Sequence, residues 1–197
     1  MDASSLNGHV IVAVLSGVFS VVAAVPYVLS ILRGETKPNA ISWGLWSLLQ
    51  GIALVAQFKA GASWSAVLIF FVTLNTVVVT VFALTKKYGY REYGAIDGIS
   101  AVLAILAIVA WQLTGNPIAA IVSTIVADAC AAFPTMVKAK RDPRSENPTG
   151  WGFLLLASIL GVASTERFDA QNLAFPLCLV VMSCIIFCFA YFGRRSS

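Results

Sequence analysis

Residues 26–46 read PYVLSILRGETKPNAISWGLW, and residues 134–153 read PTMVKAKRDPRSENPTGWGF. Pro26 and Pro134 are 108 positions apart. At that offset the windows Val22–Ala56 and Cys130–Ser164 match without gaps at eight of 35 positions. The matches are Ala23/Ala131, Ala24/Ala132, Pro26/Pro134, Arg33/Arg141, Asn39/Asn147, Trp43/Trp151, Gly44/Gly152 and Leu48/Leu156. Ordinary residue frequencies give about two or three by chance. Both stretches carry a proline near the end of one apolar run, a basic loop, an asparagine, and a tryptophan opening the next run.

The sequence around these stretches is that of a polytopic membrane protein. Of 197 residues, 59% are hydrophobic and only 11% charged, against about 25% charged in a soluble domain. A soluble globule or a disordered chain is excluded on this balance. A span takes about 20 residues, so seven leave room only for short loops. The runs predict helices over His9–Leu32, Ala40–Phe58, Ala62–Thr85, Tyr93–Leu113, Asn116–Lys138, Thr149–Thr165 and Asn172–Phe192. They are apolar all round, without the alternation of a membrane barrel. The N-terminus lacks a basic n-region, so the first span is expected to insert uncleaved.

Charge sets the expected orientation. With seven spans, one side holds Arg33, Lys37, Lys86, Lys87, Arg91, Lys138, Lys140, Arg141, Arg144, Arg194 and Arg195, which are eleven of the 13 basic residues. Lys59 and Arg167 fall on the other side. This is the positive-inside pattern, with the N-terminus outside and the C-terminus cytoplasmic; six spans would scramble it. The net charge of +4 therefore reads as topology, and no nucleic-acid partner is expected. Trp64 and Trp111 at outer ends and Trp43 and Trp151 at inner ends read as an interfacial belt, with Trp46 one turn deeper.

The repeat then divides the chain into a three-helix unit (1–92), a linker helix (93–114) and a second three-helix unit (115–197). Three is odd, so units joined directly would be inverted; the fourth helix restores a parallel pair. Such parallel repeats occur in transporters, with the substrate site near mid-membrane between them.

These features resemble the PQ-loop/SWEET superfamily of seven-helix transporters over nearly the whole chain. Pro26, Pro38, Pro134 and Pro148 are similar to the four prolines that SWEET-like proteins place near the cytoplasmic helix ends. Tyr27 and Thr135 stand where the PQ-loop name implies glutamine. The motif wording is more similar to bacterial members of unassigned substrate, which implies the bacterial plasma (inner) membrane. The resemblance implies alternating access, with proline-loosened helices as hinges of an inner gate; a static kink filled by neighbours is the plainer reading.

The predicted spans put Ser20, Gln50, Asn75, Asp128, Ser158 and Ser183 at mid-depth. Asp128 is the only acidic residue well inside a span, where it costs about 2.5–3.5 kcal/mol on insertion scales. Such residues face the bundle interior and mark ion or substrate paths. Asp128 suits proton coupling, or binding of a cationic or hydroxyl-bearing solute; an interhelical hydrogen bond is the structural alternative. Asn75 resembles a sugar-binding asparagine of SWEET-like proteins, but its counterpart is Ser183, so a symmetric clamp is not expected. Gln50 reads like Asn75, and Trp46 resembles the tryptophan of a sugar site or belongs to the belt. Gly94 and Gly98 form a small-xxx-small pair that points to close packing.

Enzyme chemistry is not expected: HExxH, P-loop and GxSxG motifs are absent. Helix 7 has no lysine for a retinal Schiff base. Cys130, Cys178, Cys184 and Cys188 all lie in apolar runs, with no CxxC pair and His9 as the only histidine, so neither a disulfide framework, a metal nor a cofactor is expected. The expectation is a secondary transporter, uniporting or proton-coupled, for a small polar solute such as a sugar, amino acid or vitamin-like compound. Membrane lipid is a further partner, and a homo-oligomer is compatible. A non-transporting receptor or assembly protein on the same fold, with the basic loop near residue 140 as its partner surface, is the alternative. A C-terminal green fluorescent protein fusion is expected to fluoresce, as only a cytoplasmic C-terminus permits; a dark fusion in a stably expressed protein would reverse the orientation.

Overall fold

The structure is a computed structural model that describes residues 3–59, 66–114, 117–165 and 170–196. Among the described residues it holds seven α-helices, a short 3₁₀ turn and no strand. They are α1 (Ala3–Leu32), α2 (Ala40–Lys59), α3 (Ala66–Leu84), α4 (Ala95–Thr114), α5 (Pro117–Arg141), α6 (Pro148–Ala163) and α7 (Ala170–Ser196), with the 3₁₀ turn at Pro143–Ser145. Trp64 and Arg167 lie outside the described residues, as do the side chains of Lys59 and Trp111.

The two matched stretches fold alike for local reasons. α1 ends in a Schellman motif: Gly34, at φ +76°, closes the helix, with Gly34 N donating to Ile31 O (2.9 Å) and Glu35 N to Ser30 O (2.9 Å). Glycine reaches that left-handed conformation without a Cβ clash. The next helix starts on an asparagine. Asn39 Oδ1 accepts from Ile41 N (2.9 Å) and Ser42 N (3.2 Å), and Asn147 Oδ1 accepts from Gly150 N (2.7 Å). Each asparagine satisfies a donor that the helix start would otherwise leave open. Pro148 occupies the first turn of α6, where its missing N–H costs nothing.

Within the first half, α3 lies between α1 and α2; within the second, α7 lies between α5 and α6. Across the halves α1 packs on α6 and α2 on α5, closing a ring of six helices. Among the described residues the backbones of α1 and α2 do not approach one another, nor do those of α5 and α6, although the Tyr27 and Trp43 rings meet between α1 and α2. α4 stands outside the ring against α5, with a lighter contact to α2. Small residues make the close crossings: Ala127, Ala131, Ala132, Ala139 and Ala157 are wholly buried, as expected where backbones must approach. A Cβ on Gly150 would stand 3.0 Å from Tyr27 Cβ and 3.2 Å from Ala23 O, so α6 meets α1 there with no space for a side chain. The pair Gly94/Gly98 is a correction to the sequence reading. A Cβ at either would meet nothing within 4 Å, because Gly98 lies on the exposed side of α4 and Gly94, just before the helix, is exposed as well.

Polarity is distributed inside out. Ile11, Val81, Leu84, Ile99 and Leu113 belong to a broad set of exposed apolar side chains, while Ser16, Ser20, Gln50, Asn75, Asp128, Ser158 and Ser183 are buried. Two helical stretches, Gly8–Leu32 and Leu173–Arg195, are long and apolar enough to cross a membrane; Ala40–Val55, Ile69–Leu84, Ala95–Ala110 and Pro148–Ala163 are shorter apolar helices. Replacing Asn147 by alanine removes the α6 cap and is expected to lower stability by about 1 kcal/mol. Asn147→Asp, which keeps the acceptor, should melt near the wild type in detergent.

Candidate functional site

Inside the ring a cavity is lined by Trp43, Trp46 and Gln50 of α2, Val72, Asn75 and Thr76 of α3, Trp151 and Leu154 of α6, and Leu179, Met182 and Ser183 of α7. Its volume for water-sized molecules is about 20 Å³, enough for roughly one water. Of the residues singled out in the sequence, Trp46, Gln50, Asn75 and Ser183 line this one cavity. Asp128 does not line it. It is buried in α5, with the Trp46 indole and the Cys178 thiol beside it, one layer behind the wall.

The lining groups differ in how far they are satisfied. Gln50 Oε1 accepts from Thr76 Oγ1 (3.0 Å), and Ser183 Oγ donates back to Leu179 O of its own helix (2.5 Å). Asn75 Oδ1 is buried without a hydrogen-bond partner, while the Asp128 carboxyl has only the Trp46 indole and the Cys178 thiol beside it and Trp43 Nε1 only the Tyr27 hydroxyl, none in ordinary hydrogen-bond geometry. Buried polar atoms normally have partners, so Asn75 Oδ1, at the cavity wall, stands ready for something that enters. Ser20, the counterpart of Asp128 at the 108-residue offset, also has an unpartnered buried hydroxyl.

The tryptophans overturn the belt reading for Trp43 and Trp151. Both are buried, and with Trp46 they form one cluster: ring centroids are 5.3 Å apart for Trp43–Trp46 and 6.0 Å for Trp43–Trp151 and Trp46–Trp151. Tyr27 joins it, 5.1 Å from Trp43 and 6.1 Å from Trp151. The physical reason is the ring itself. Trp43 and Trp151 open equivalent helices, and those helices turn the same face inward, so the two indoles meet instead of facing out.

Next to this cluster lies a buried charge network invisible in the sequence. Lys138 Nζ is 2.5 Å from Glu146 Oε1, and both side chains are buried. Glu146 Oε2 accepts from Tyr27 OH (2.8 Å) and from Trp151 Nε1 (2.8 Å). Lys138 Nζ also donates to Lys37 O (2.6 Å) and Ser145 O (3.3 Å) and stands 5.5 Å over the Tyr90 ring. One carboxylate thus ties α1, α5, α6 and both proline-containing loops together. The sequence reading placed Lys138 among ordinary loop charges and passed over Glu146. The available signal was an acid beside the capping Asn147 in a loop otherwise rich in lysine and arginine.

The loop side is joined a second time. Asn39 Nδ2 donates to Asp97 Oδ1 (2.7 Å), Gly94 N to Asp97 Oδ2 (2.8 Å), and Tyr90 N to Pro38 O (3.0 Å). A cleft of about 260 Å³ opens there between Tyr90, Asp97, Pro134, Lys138 and Arg141. Burial raises the Tyr90 phenol above its ordinary value, with Glu92 and Asp97 adding to the shift. Pro26 and Pro134 lie within continuous helices, as does Pro176 of α7, and Pro38 is buried. Among the described residues no group of three or more His, Cys, Asp or Glu side chains is placed to hold a metal.

Truncating Glu146 to alanine leaves the Lys138 ammonium buried and uncompensated, which costs about 3–5 kcal/mol in comparable pairs. A large drop in melting temperature is expected, partly restored in Lys138→Met/Glu146→Leu; equal stability of Glu146→Ala and wild type would show the pair to be idle. No family model, curated protein or solved structure matches the chain.

Proposed function

We propose that this chain is a secondary transporter that moves a small polar solute across a membrane by alternating access. The observation that carries the reading is the cavity. Gln50, Asn75 and Ser183, which hydropathy puts at mid-depth in three separate spans, line one interior space with Trp46 within a ring of six helices. The exposed apolar exterior supports immersion in lipid, since contiguous apolar surface on this scale is out of place in water. The order of helix contacts supports two three-helix units related by a two-fold axis, with α4 as the linker. On this reading the chain spans the membrane seven times, with the N-terminus outside and the loops carrying Lys37 and Glu146 in the cytoplasm, in keeping with the charge count.

The mechanism follows from the same groups. The solute binds between the units against Asn75, Gln50 and the tryptophan cluster. The Glu146 network and the cluster beside it hold the cytoplasmic end shut. Opening that end separates Glu146 from Tyr27 and Lys138 from the Lys37 carbonyl, while Pro26 and Pro134 supply the loosened backbone on which the units turn. Asp128, buried behind Trp46 with no cation beside it, carries a proton in step with the solute. Ser145 and Glu146 are buried against the bundle, while Lys140, Arg141 and Arg144 of the same loop are exposed, as the receptor alternative requires.

Protein reconstituted in liposomes is expected to take up at least one member of a panel of radiolabelled sugars, amino acids and vitamins, faster with an imposed pH gradient. Asp128→Asn should abolish the response to the gradient. Failure of every solute to enter would end the transport reading, and an unchanged pH response in Asp128→Asn would remove Asp128 from the coupling step.

A further inference from the structure

We propose that the transported solute is a small organic cation, an amine that carries a hydroxyl and no carboxylate. This rests on the transport reading and narrows its substrate class. Three features of the site point the same way.

The first is the aromatic wall. Trp43, Trp46 and Trp151 meet at 5.3 to 6.0 Å between centroids, at interplanar angles of 86°, 44° and 62°. The three indoles pack edge-to-face or tilted on one another and all line the cavity, and an indole face within about 6 Å attracts an ammonium group. The second is countercharge. Asp128 is the one described acid near the cavity with neither a cation nor an amide beside it, since Glu146 is paired with Lys138 and Asp97 with Asn39. It sits against Trp46, so its charge acts through the wall with no water between to screen it. The carboxyl that carries the proton supplies the countercharge once the proton has left.

The third feature is what the lining lacks. Among the described residues no lysine, arginine or histidine lines the cavity, so an anion or the carboxylate of an amino acid meets no cation there. A sugar presents several hydroxyls and needs as many partners. The Thr76 and Ser183 hydroxyls are already donating, to Gln50 and to Leu179 O. Two fully buried atoms at the wall make no hydrogen bond of ordinary geometry, the acceptor Asn75 Oδ1 and the donor Trp43 Nε1, the latter with the Tyr27 hydroxyl beside it. An ammonium N–H satisfies the first and a hydroxyl oxygen the second. The space of about 20 Å³ accommodates a group of water size, as an ammonium head is, and the rest of the molecule requires the units to part slightly.

Ethanolamine is the probe, with ethylene glycol as its neutral counterpart and glucose as the sugar control, at ionic strength matched with sodium chloride. Ligand binding to the folded state raises the melting temperature by mass action. Ethanolamine is expected to raise that of the purified protein by a few degrees, saturably, and ethylene glycol and glucose to leave it unchanged. Asp128→Asn and, independently, Trp151→Leu should each weaken the apparent affinity about tenfold or more, judged on protein that elutes as a single species; Trp151→Phe should retain it. An equal shift with ethylene glycol, ethanolamine binding unaffected in both Asp128→Asn and Trp151→Leu, or no shift with ethanolamine would overturn the assignment. A shift with glucose alone, accompanied by glucose uptake into liposomes, would overturn it and leave the transport reading standing; absence of flux for every solute would remove both.

Discussion

A carboxylate removed from water must find its whole solvation within the protein, and Glu146 shows what that requirement does to a fold. It is completely buried and is satisfied by Lys138, Tyr27 and Trp151 at once. Lys138 in turn needs carbonyls, which it takes from Lys37 and Ser145. The two proline-containing loops are therefore drawn together at one point. Trp151 is fixed by the bond from its indole nitrogen, and its ring is thereby set against Trp43 and Trp46. The shape of the interior cavity depends on this chain of contacts, since Trp151, Trp43 and Trp46 are three of its walls.

The two halves share a plan but not a chemistry. Asn39 and Asn147 cap equivalent helices, and Trp43 and Trp151 face each other from equivalent positions. At the same offset Ser20 stands opposite Asp128, Gln50 opposite Ser158, Asn75 opposite Ser183, Ser30 opposite Lys138 and Pro38 opposite Glu146. The charged network belongs to the second half and reaches across to the first at Tyr27 and Lys37. In the proposed transporter this gives one latch and one protonatable carboxyl in place of two of each. Moving one half against the other then breaks a single set of buried charge contacts.

Some of this was legible before any coordinates. The repeat, the helical class and the approximate helix limits follow from hydropathy and spacing, which report on each segment separately. The asparagine-before-tryptophan pattern was legible as a repeated signal, and its meaning as a helix cap is local. The tryptophans were misread because an amphipathic ring near a helix end fits either a lipid interface or an inward cluster. Only the direction in which the helix face points separates the two. Gly94 and Gly98 were misread for the same reason: small-residue spacing marks a face without saying whether another helix lies on it.

Local patterning thus determined which segments are helical, that two stretches of them are similar, and which few polar side chains lie near the middle of the apolar runs. Tertiary packing alone decided that α3 and α7 lie between their neighbours, that the two sets meet through α1 with α6 and α2 with α5, and that Asp128 stands behind the cavity wall. It also decided that Lys138 and Glu146 form a buried pair. The physical reason is range. Helix formation and capping are settled within a few residues, whereas the partner of a buried charge and the contents of a cavity are settled by residues more than a hundred positions apart, such as Tyr27 and Glu146.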